Sequence, residues 1–315
     1  MSIKPSGRMI KVSLIQRGPA LEDKEKTTRD LLDQVEKVLA KERPDYLMPI
    51  EICTTPYFPV VNDDRYFDWA EPIPGPTTDL FAKLARKYGT CIILPIFEKG
   101  KLEGLYYNSA VVLGPDGNII FGRMHDGTKV HRYAKTHIPA IRTSQGWVDE
   151  TVYFSPGSGF PVFDTPKARI GILICHDRRY PEAWRELALQ GAEMIFVPVD
   201  SMITSPEGGG SNTEEMFVTE LRTRALENCV WVCAANQGGV ETVQGKTHTF
   251  YGDSCIIHPT GKVVAQAPSS RPATITATID LEDVNRARKF MYTFKRRRPD
   301  LYKLVNKPVD LISYD

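Results

Sequence analysis

Two periodicities alternate along this chain. Short unbroken apolar runs predict buried strands, and between them lie stretches whose apolar residues recur every three or four positions, which predict helices. In the first half, residues 11–15 predict a strand and residues 25–39 a helix, followed by a second strand at 45–51. After a long loop rich in Pro, Tyr and Phe comes a helix at 78–88, whose Leu80, Phe81, Leu84 and Ala85 make one apolar stripe. A strand at 91–96 and a hairpin follow, 108–113 turning through Gly114-Pro115-Asp116-Gly117 into 118–121.

The second half runs in the same order. Residues 170–174 predict a strand, and Pro181-Glu182 opens a helix, since proline suits the first helical position and an acid the first turn. Next come a strand at 192–200, a Gly/Ser loop at 205–211, a helix at 214–228 and a strand at 230–235. A hairpin closes the half, 253–258 turning at Pro259-Thr260-Gly261 into 262–264. Each half also places a proline and then a carboxylate at a strand end, Pro49-Ile50-Glu51 and Pro198-Val199-Asp200. This shared order predicts an internal duplication. Alternating strands and helices with closing hairpins predict an α/β protein with mixed sheets; two halves stacked through apolar sheet faces would give a four-layer α-β-β-α sandwich related by a pseudo-twofold. No linker parts the halves, so residues 1–315 are expected to form a single domain with a C-terminal arm from about 285 to 315.

Candidate chemistry starts at Cys175, where the 170–174 strand ends and the turn Cys175-His176-Asp177-Arg178-Arg179-Tyr180 begins. A cysteine held there lies beside free backbone N–H groups and a positive helix terminus, with two arginines within four residues. These features favour the thiolate, the form that attacks carbonyl carbon. Free cysteines are also common core filler, so local context leaves both readings open. Sites in α/β sheets gather beyond the carboxyl ends of strands. Glu51 meets that placement, as does Lys135 in His131-Arg132-Tyr133-Ala134-Lys135-Thr136-His137-Ile138-Pro139.

Composition narrows the partners. A formal net charge of +1 points away from nucleic acid and acidic membrane surfaces, and 42% apolar with 25% charged residues fits a soluble globular chain. The first eight residues hold no apolar core for a signal peptide and no run is long enough to span a bilayer, so a cytoplasmic protein is expected. Its six cysteines are then expected to be reduced. Cys229 and Cys233 have no histidine cluster nearby, so neither a metal site nor a cofactor is expected. The basic run Lys295-Arg296-Arg297-Arg298 reads as a solvated arm.

Over nearly its whole length the chain resembles the nitrilase superfamily of carbon–nitrogen hydrolases. The likeness rests on Pro49-Ile50-Glu51, on Tyr133 to Pro139 and on Gly171-Ile172-Leu173-Ile174-Cys175-His176-Asp177. Arg224 to Asn228, Asn236-Gln237, Gly252-Asp253-Ser254 and Arg297 to Tyr302 add to it. The resemblance implies a Cys-Glu-Lys triad of Cys175, Glu51 and Lys135, with Glu150 matching the family's second glutamate. In the implied reaction Glu51 takes the thiol proton, Cys175 attacks an amide or ureido carbonyl, and Lys135 meets the oxyanion. Collapse expels an amine or ammonia and leaves a thioester, which water activated by Glu51 then hydrolyses. Within the superfamily the chain is most similar to N-carbamoyl-D-amino acid amidohydrolases, through Asp177-Arg178-Arg179-Tyr180-Pro181-Glu182. That likeness implies that Arg178 and Arg179 hold a substrate carboxylate, which an arginine fork matches; an internal acid such as Glu182 or Asp200 is the alternative partner. Asp200 would instead greet an amine, pointing to a carbamoylated polyamine or an aliphatic amide. His137, two residues past Lys135, reads equally as a donor to the site or as structural. Residues 123–130 look inserted relative to the family and are expected to reshape the pocket rim. A small-molecule substrate and a homodimer or higher homo-oligomer are implied as partners. The rival reading is a non-catalytic scaffold of the same fold.

Overall fold

A computed structural model of the 315-residue chain describes residues 8–143, 145–204 and 214–308. The predicted loop at 205–211 lies outside the described residues, as do the two termini. The frame is two large sheets, one of six strands and one of eight. In the first, β1 (Met9–Gln16), β2 (Tyr46–Met48) and β3 (Cys91–Lys99) run parallel. β4 (Tyr106–Leu113) folds back antiparallel on β3, and the two-residue β5 (Tyr133–Ala134) edges β4. In the second sheet, β6 (Val162–Asp164) lies antiparallel to β7 (Arg169–Ile172), which runs parallel with β8 (Met194–Val199) and β9 (Trp231–Asn236). β10 (Cys255–Ile257) and β11 (Val263–Gln266) continue it antiparallel. β12 (Ala273–Asp280) returns to the first sheet, antiparallel to β1.

The duplication is visible strand by strand. β1-β2-β3-β4 matches β7-β8-β9-β10 in order and direction, and the first strand of each set has an antiparallel neighbour, β12 or β6. Helix α1 (Lys24–Glu42) lies beside α2 (Pro76–Tyr88) over the first sheet, and α3 (Pro181–Leu189) beside α4 (Glu214–Asn228) at the second. Local chemistry sets these helix ends. The Asp23 side chain caps α1 by accepting from the Lys26 N–H, and α2 starts on Pro76 and stops at Gly89, which takes the left-handed conformation glycine tolerates (φ 66). The sheets meet through β1, β2, β8 and β9, where the Tyr46 ring lies 5.9 Å from Phe196. Phe196 is fully buried, so Phe196→Ala would remove roughly 3–5 kcal/mol of core packing.

Some expectations shift. The strand predicted at 45–51 stops at Met48, because Pro49 has no N–H for the ladder and the chain turns. Residues 118–121 form only an isolated bridge, Leu113 with Ile119, rather than a strand. β12 is unforeseen: its alternating Thr and Ile half-bury an edge that pairs with β1 from Met9↔Asp280 to Gln16↔Ala273. Two ribbons, Ala140–Thr143 with Gly146–Asp149 and Gly238–Val243 with Lys246–Tyr251, are also new. All six cysteines are free thiols, and no helix among the described residues is long and apolar enough to cross a membrane. A final helix, α5 (Glu282–Met291), precedes the basic run.

Candidate active site

The carboxyl ends of β2, β5, β7 and β8 converge, and each delivers one reactive side chain. Glu51 follows β2 and is fully buried. Its carboxylate accepts from Lys135 Nζ (2.8 Å), Asn108 Nδ2 (2.6 Å) and the backbone N–H of Asp200 (2.9 Å). Lys135 follows β5, and its backbone is fixed on both sides. Its N–H donates to the Asn108 carbonyl and its own carbonyl accepts from Gly157, each at 2.8 Å. Its ammonium uses all three protons, donating once to Glu51 and at 2.7 Å to both oxygens of Glu150. Burial disfavours that charge, but Glu150 and Glu51 outweigh it and raise the Lys135 pKa. Glu150 opens a short 3-10 turn whose start Asp149 caps, and it takes a further 2.6 Å hydrogen bond from Tyr57 Oη. Burial pushes the Glu150 carboxyl above its ordinary range; Lys135 opposes the shift and Glu51 adds to it.

Cys175 heads a 3-10 turn, Cys175–Arg179, in a left-handed backbone conformation (φ 47) that non-glycine residues seldom adopt. Asp177 ties this turn to the lysine segment. Its fully buried carboxylate accepts from Ile174 N (3.1 Å), Tyr133 Oη (2.6 Å) and His137 N (2.9 Å), and lies 2.7 Å from His137 Nδ1. Ser201 Oγ stands 3.6 Å from the Cys175 sulfur. The local prediction of a favoured thiolate is overturned. Burial first, and the Glu51 charge second, push the thiol up to about 12, while Lys135 and Arg178 pull the other way. The free site therefore holds a neutral thiol that needs a base.

A cavity of about 220 Å³ opens onto this turn. Cys175, His176, Arg178 and Arg179 lie on one side and Tyr57 with Glu150 on another. Asp200, Ser201, Met202 and Thr204 line a third side, and the ribbon residues Ile141, Thr143 and Val148 complete it with Pro139. Burial and the nearby cations lower His176 to about 4, so its imidazole is neutral. Arg178 is fully committed inside the fold, with Nη1 on the Cys175 carbonyl (2.9 Å) and Nε 3.3 Å from Glu220 of α4. Arg179 is half-buried. Asp200 is buried, and neither of its carboxyl oxygens finds a hydrogen-bond partner among the described residues.

The structure thus brings Cys175, Glu51, Lys135 and Glu150 together and sets Arg178, Arg179 and Asp200 on the cavity. His137 does not line it: its ring stacks on Tyr180 at 3.6 Å and its Nδ1 faces Asp177. The 123–130 segment is likewise absent from the lining. It pairs Gly122–Arg123 with Lys129–Val130 at the edge of the second sheet. Sequence reasoning missed Tyr57, Asn108, Ser201 and Glu241, the last accepting from the Tyr57 N–H at 2.8 Å. Asp177 lay inside the cysteine motif and could have been singled out there. Among the described residues no cluster of three or more His, Cys, Asp or Glu could hold a metal ion.

Known proteins match this chain closely. The pattern of the Carbon-nitrogen hydrolase family matches residues 11–289. An N-carbamoylputrescine amidase of Solanum lycopersicum is 35% identical over 255 residues, 79% of this chain and 79% of the relative. A citrullinase of Francisella tularensis is 33% identical over 273 residues, 86% of each chain. The crystal structure of a carbon-nitrogen hydrolase from Helicobacter pylori G27 superposes with a TM-score of 0.82 at 29% identity, covering 95% of this chain and 99% of that one.

Proposed function

The chain belongs to the carbon–nitrogen hydrolases, the nitrilase superfamily, and is a hydrolase of C–N amide bonds; from that premise we propose that it is a thiol amidohydrolase cleaving the ureido group of a small N-carbamoyl compound. The observation that carries the reading is the buried Glu51–Lys135–Glu150 chain of hydrogen bonds beside a cavity-lining cysteine.

Glu51 removes the thiol proton, and Cys175 sulfur bonds to the ureido carbon. On gaining that proton Glu51 loses its charge and its hold on Lys135, whose ammonium is then free to turn toward the oxyanion. Glu51 returns the proton to the departing nitrogen as the C–N bond breaks, leaving a carbamoyl thioester. Water, deprotonated by Glu51, cleaves the C–S bond, and the sulfur recovers the proton. Glu150 keeps Lys135 charged and aligned throughout, and Tyr57 fixes Glu150.

The tail of the substrate is an aliphatic amine in this proposal. Ile141, Val148 and Met202 offer an apolar wall, and Asp200 is an acid with no competing hydrogen bond among the described residues. The first relatives named, N-carbamoylputrescine amidases, fit that chemistry. Arg179 on the cavity favours a second reading, an N-carbamoyl amino acid. An ammonia-release panel of carbamoylputrescine, citrulline and N-carbamoyl D- and L-amino acids tests both, with Cys175→Ala as the blank. The proposal expects turnover of ureido compounds, fastest with carbamoylputrescine, and a covalent adduct on Cys175 by mass spectrometry. Turnover retained by Cys175→Ala refutes the mechanism.

A further inference from the structure

Arg178 is the least exposed guanidinium at the site, at 1% relative exposure, and it packs against the turn that carries the nucleophile. Nη1 donates to the carbonyl of Cys175 at 2.9 Å and lies 3.9 Å from its sulfur. Nε faces Glu220 at 3.3 Å, and the guanidinium carbon sits 5.4 Å from the centre of the Phe217 ring. Both partners belong to α4. The Arg178 carbonyl in turn accepts from Trp184 Nε1 (2.9 Å) of α3 and Arg224 Nε (3.3 Å) of α4. One residue therefore clamps the strained Cys175 backbone to two helices.

Its charge matters as much as its hydrogen bonds. The groups bearing on the sulfur are Glu51, Lys135, Arg178 and Glu150, with Ser201 as the neutral neighbour. Lys135 is shared between two carboxylates, so it is electrically committed before the reaction starts. A developing thiolate also meets a second cation, Arg178, whose Nη1 lies 3.9 Å from the sulfur.

We propose that Arg178 is a positioning residue for the nucleophile, not a receptor for a substrate carboxylate: it fixes the Cys175 backbone and faces the forming thiolate. The proposal rests on Cys175 being the nucleophile, and it deepens the reading above by leaving an acidic substrate tail only Arg179.

Two measurements on Arg178→Gln and Arg178→Lys test it. The first is kcat and KM for carbamoylputrescine and for an N-carbamoyl amino acid. The second is the iodoacetamide alkylation rate of Cys175 from pH 7 to 10, which needs no substrate. With Arg178→Gln, kcat should fall about a hundredfold on every substrate turned over, with KM little changed, and alkylation should slow about tenfold at each pH. Arg178→Lys should restore part of the alkylation rate, because it returns the charge without the fork. Glu220→Gln, which frees the anchor but keeps the charge, should lower kcat less than Arg178→Gln does. It also stands in if Arg178→Gln does not fold. A rise in KM confined to the acidic substrate, with alkylation unchanged in both Arg178 variants, overturns the proposal. If no ureido compound is turned over, the function above fails while the alkylation series still decides the role of Arg178.

Discussion

Replacing Glu51 with glutamine should move two properties of Cys175 in opposite directions. A thiol pushed up to about 12 is ionised to only about one part in 10⁵ at pH 7, equivalent to about 7 kcal/mol for forming the thiolate unaided. Glu51 lowers that barrier by taking the proton as the C–S bond forms, and again by activating water in deacylation. General-base terms of about 10²–10⁴ per step then predict that Glu51→Gln lowers kcat by roughly 10³–10⁴. Yet Glu51 is also the second largest cause of the raised thiol pKa. Its removal therefore makes the sulfur easier to ionise, and the rise of iodoacetamide alkylation with pH should shift to lower pH. The amide also retains an acceptor for Lys135, so the site keeps much of its geometry. Ammonia release and alkylation, followed across pH 7–10 on parent and variant, read both effects. Turnover within tenfold of the parent, or alkylation shifted to higher pH, would refute the assignment of Glu51 as base.

Asp200→Asn should raise stability at neutral pH. The Asp200 carboxyl is raised well above its ordinary value, by burial first and the Glu51 charge second, so the folded state keeps its proton to higher pH than the unfolded chain, which ionises above about pH 4. Stability is thereby lost as pH climbs from about 4 toward the folded value, by about 1.4 kcal/mol for each pH unit climbed. Thermal melts should show the asparagine gain at pH 7 shrinking to nothing below pH 4, while KM for carbamoylputrescine rises; a gain independent of pH contradicts the titration. Asp177→Ala strips four acceptor contacts from a buried carboxylate and should destabilise by roughly 3–5 kcal/mol, read by urea denaturation. A loss under about 1 kcal/mol would mean the turn is held by Arg178 and the helices alone.

The parts of the site legible in sequence are those that strand ends dictate. Glu51 and Cys175 follow strands that the apolar pattern predicts, whereas Lys135 follows a two-residue strand that no apolar run announces and was legible through its motif and the family resemblance. Tyr57 and Asn108 were not legible because their partners, Glu150 and Glu51, lie 93 and 57 residues away along the chain. The thiolate expectation failed for a related reason. It counted the local N–H groups and arginines but neither the burial of the sulfur nor the carboxylate brought in by the other half. Arg178 beside Arg179 likewise reads as a free fork until α4 supplies Glu220 behind it. β12 went unseen because an edge strand of alternating Thr and Ile carries no unbroken apolar run.

The duplication accounts for why a single reactive centre arises from two equivalent halves. Glu51 and Asp200 occupy matching positions, each the acid of a Pro-x-acid sequence ending the second strand of its half. The two meet, since the Asp200 N–H donates to Glu51. The first strand of each half likewise ends near a functional group of the opposite half. Cys175 follows β7 and faces Glu51; Arg17 follows β1 and acts on Asp200. The exchange is symmetric in position but not in chemistry. Arg17 is held by the Cys53 and Thr55 carbonyls at 2.7 and 2.9 Å and has no nucleophilic electron pair to offer. Asp200 lacks what Glu51 has, a lysine and an asparagine donating to its carboxylate, so burial raises its pKa with no donor to oppose it, whereas Glu51 is bound by three donors. Supplying donors to a buried acid decides which of the two strand ends can serve as a base. Asp200, which lacks them, lines the cavity instead.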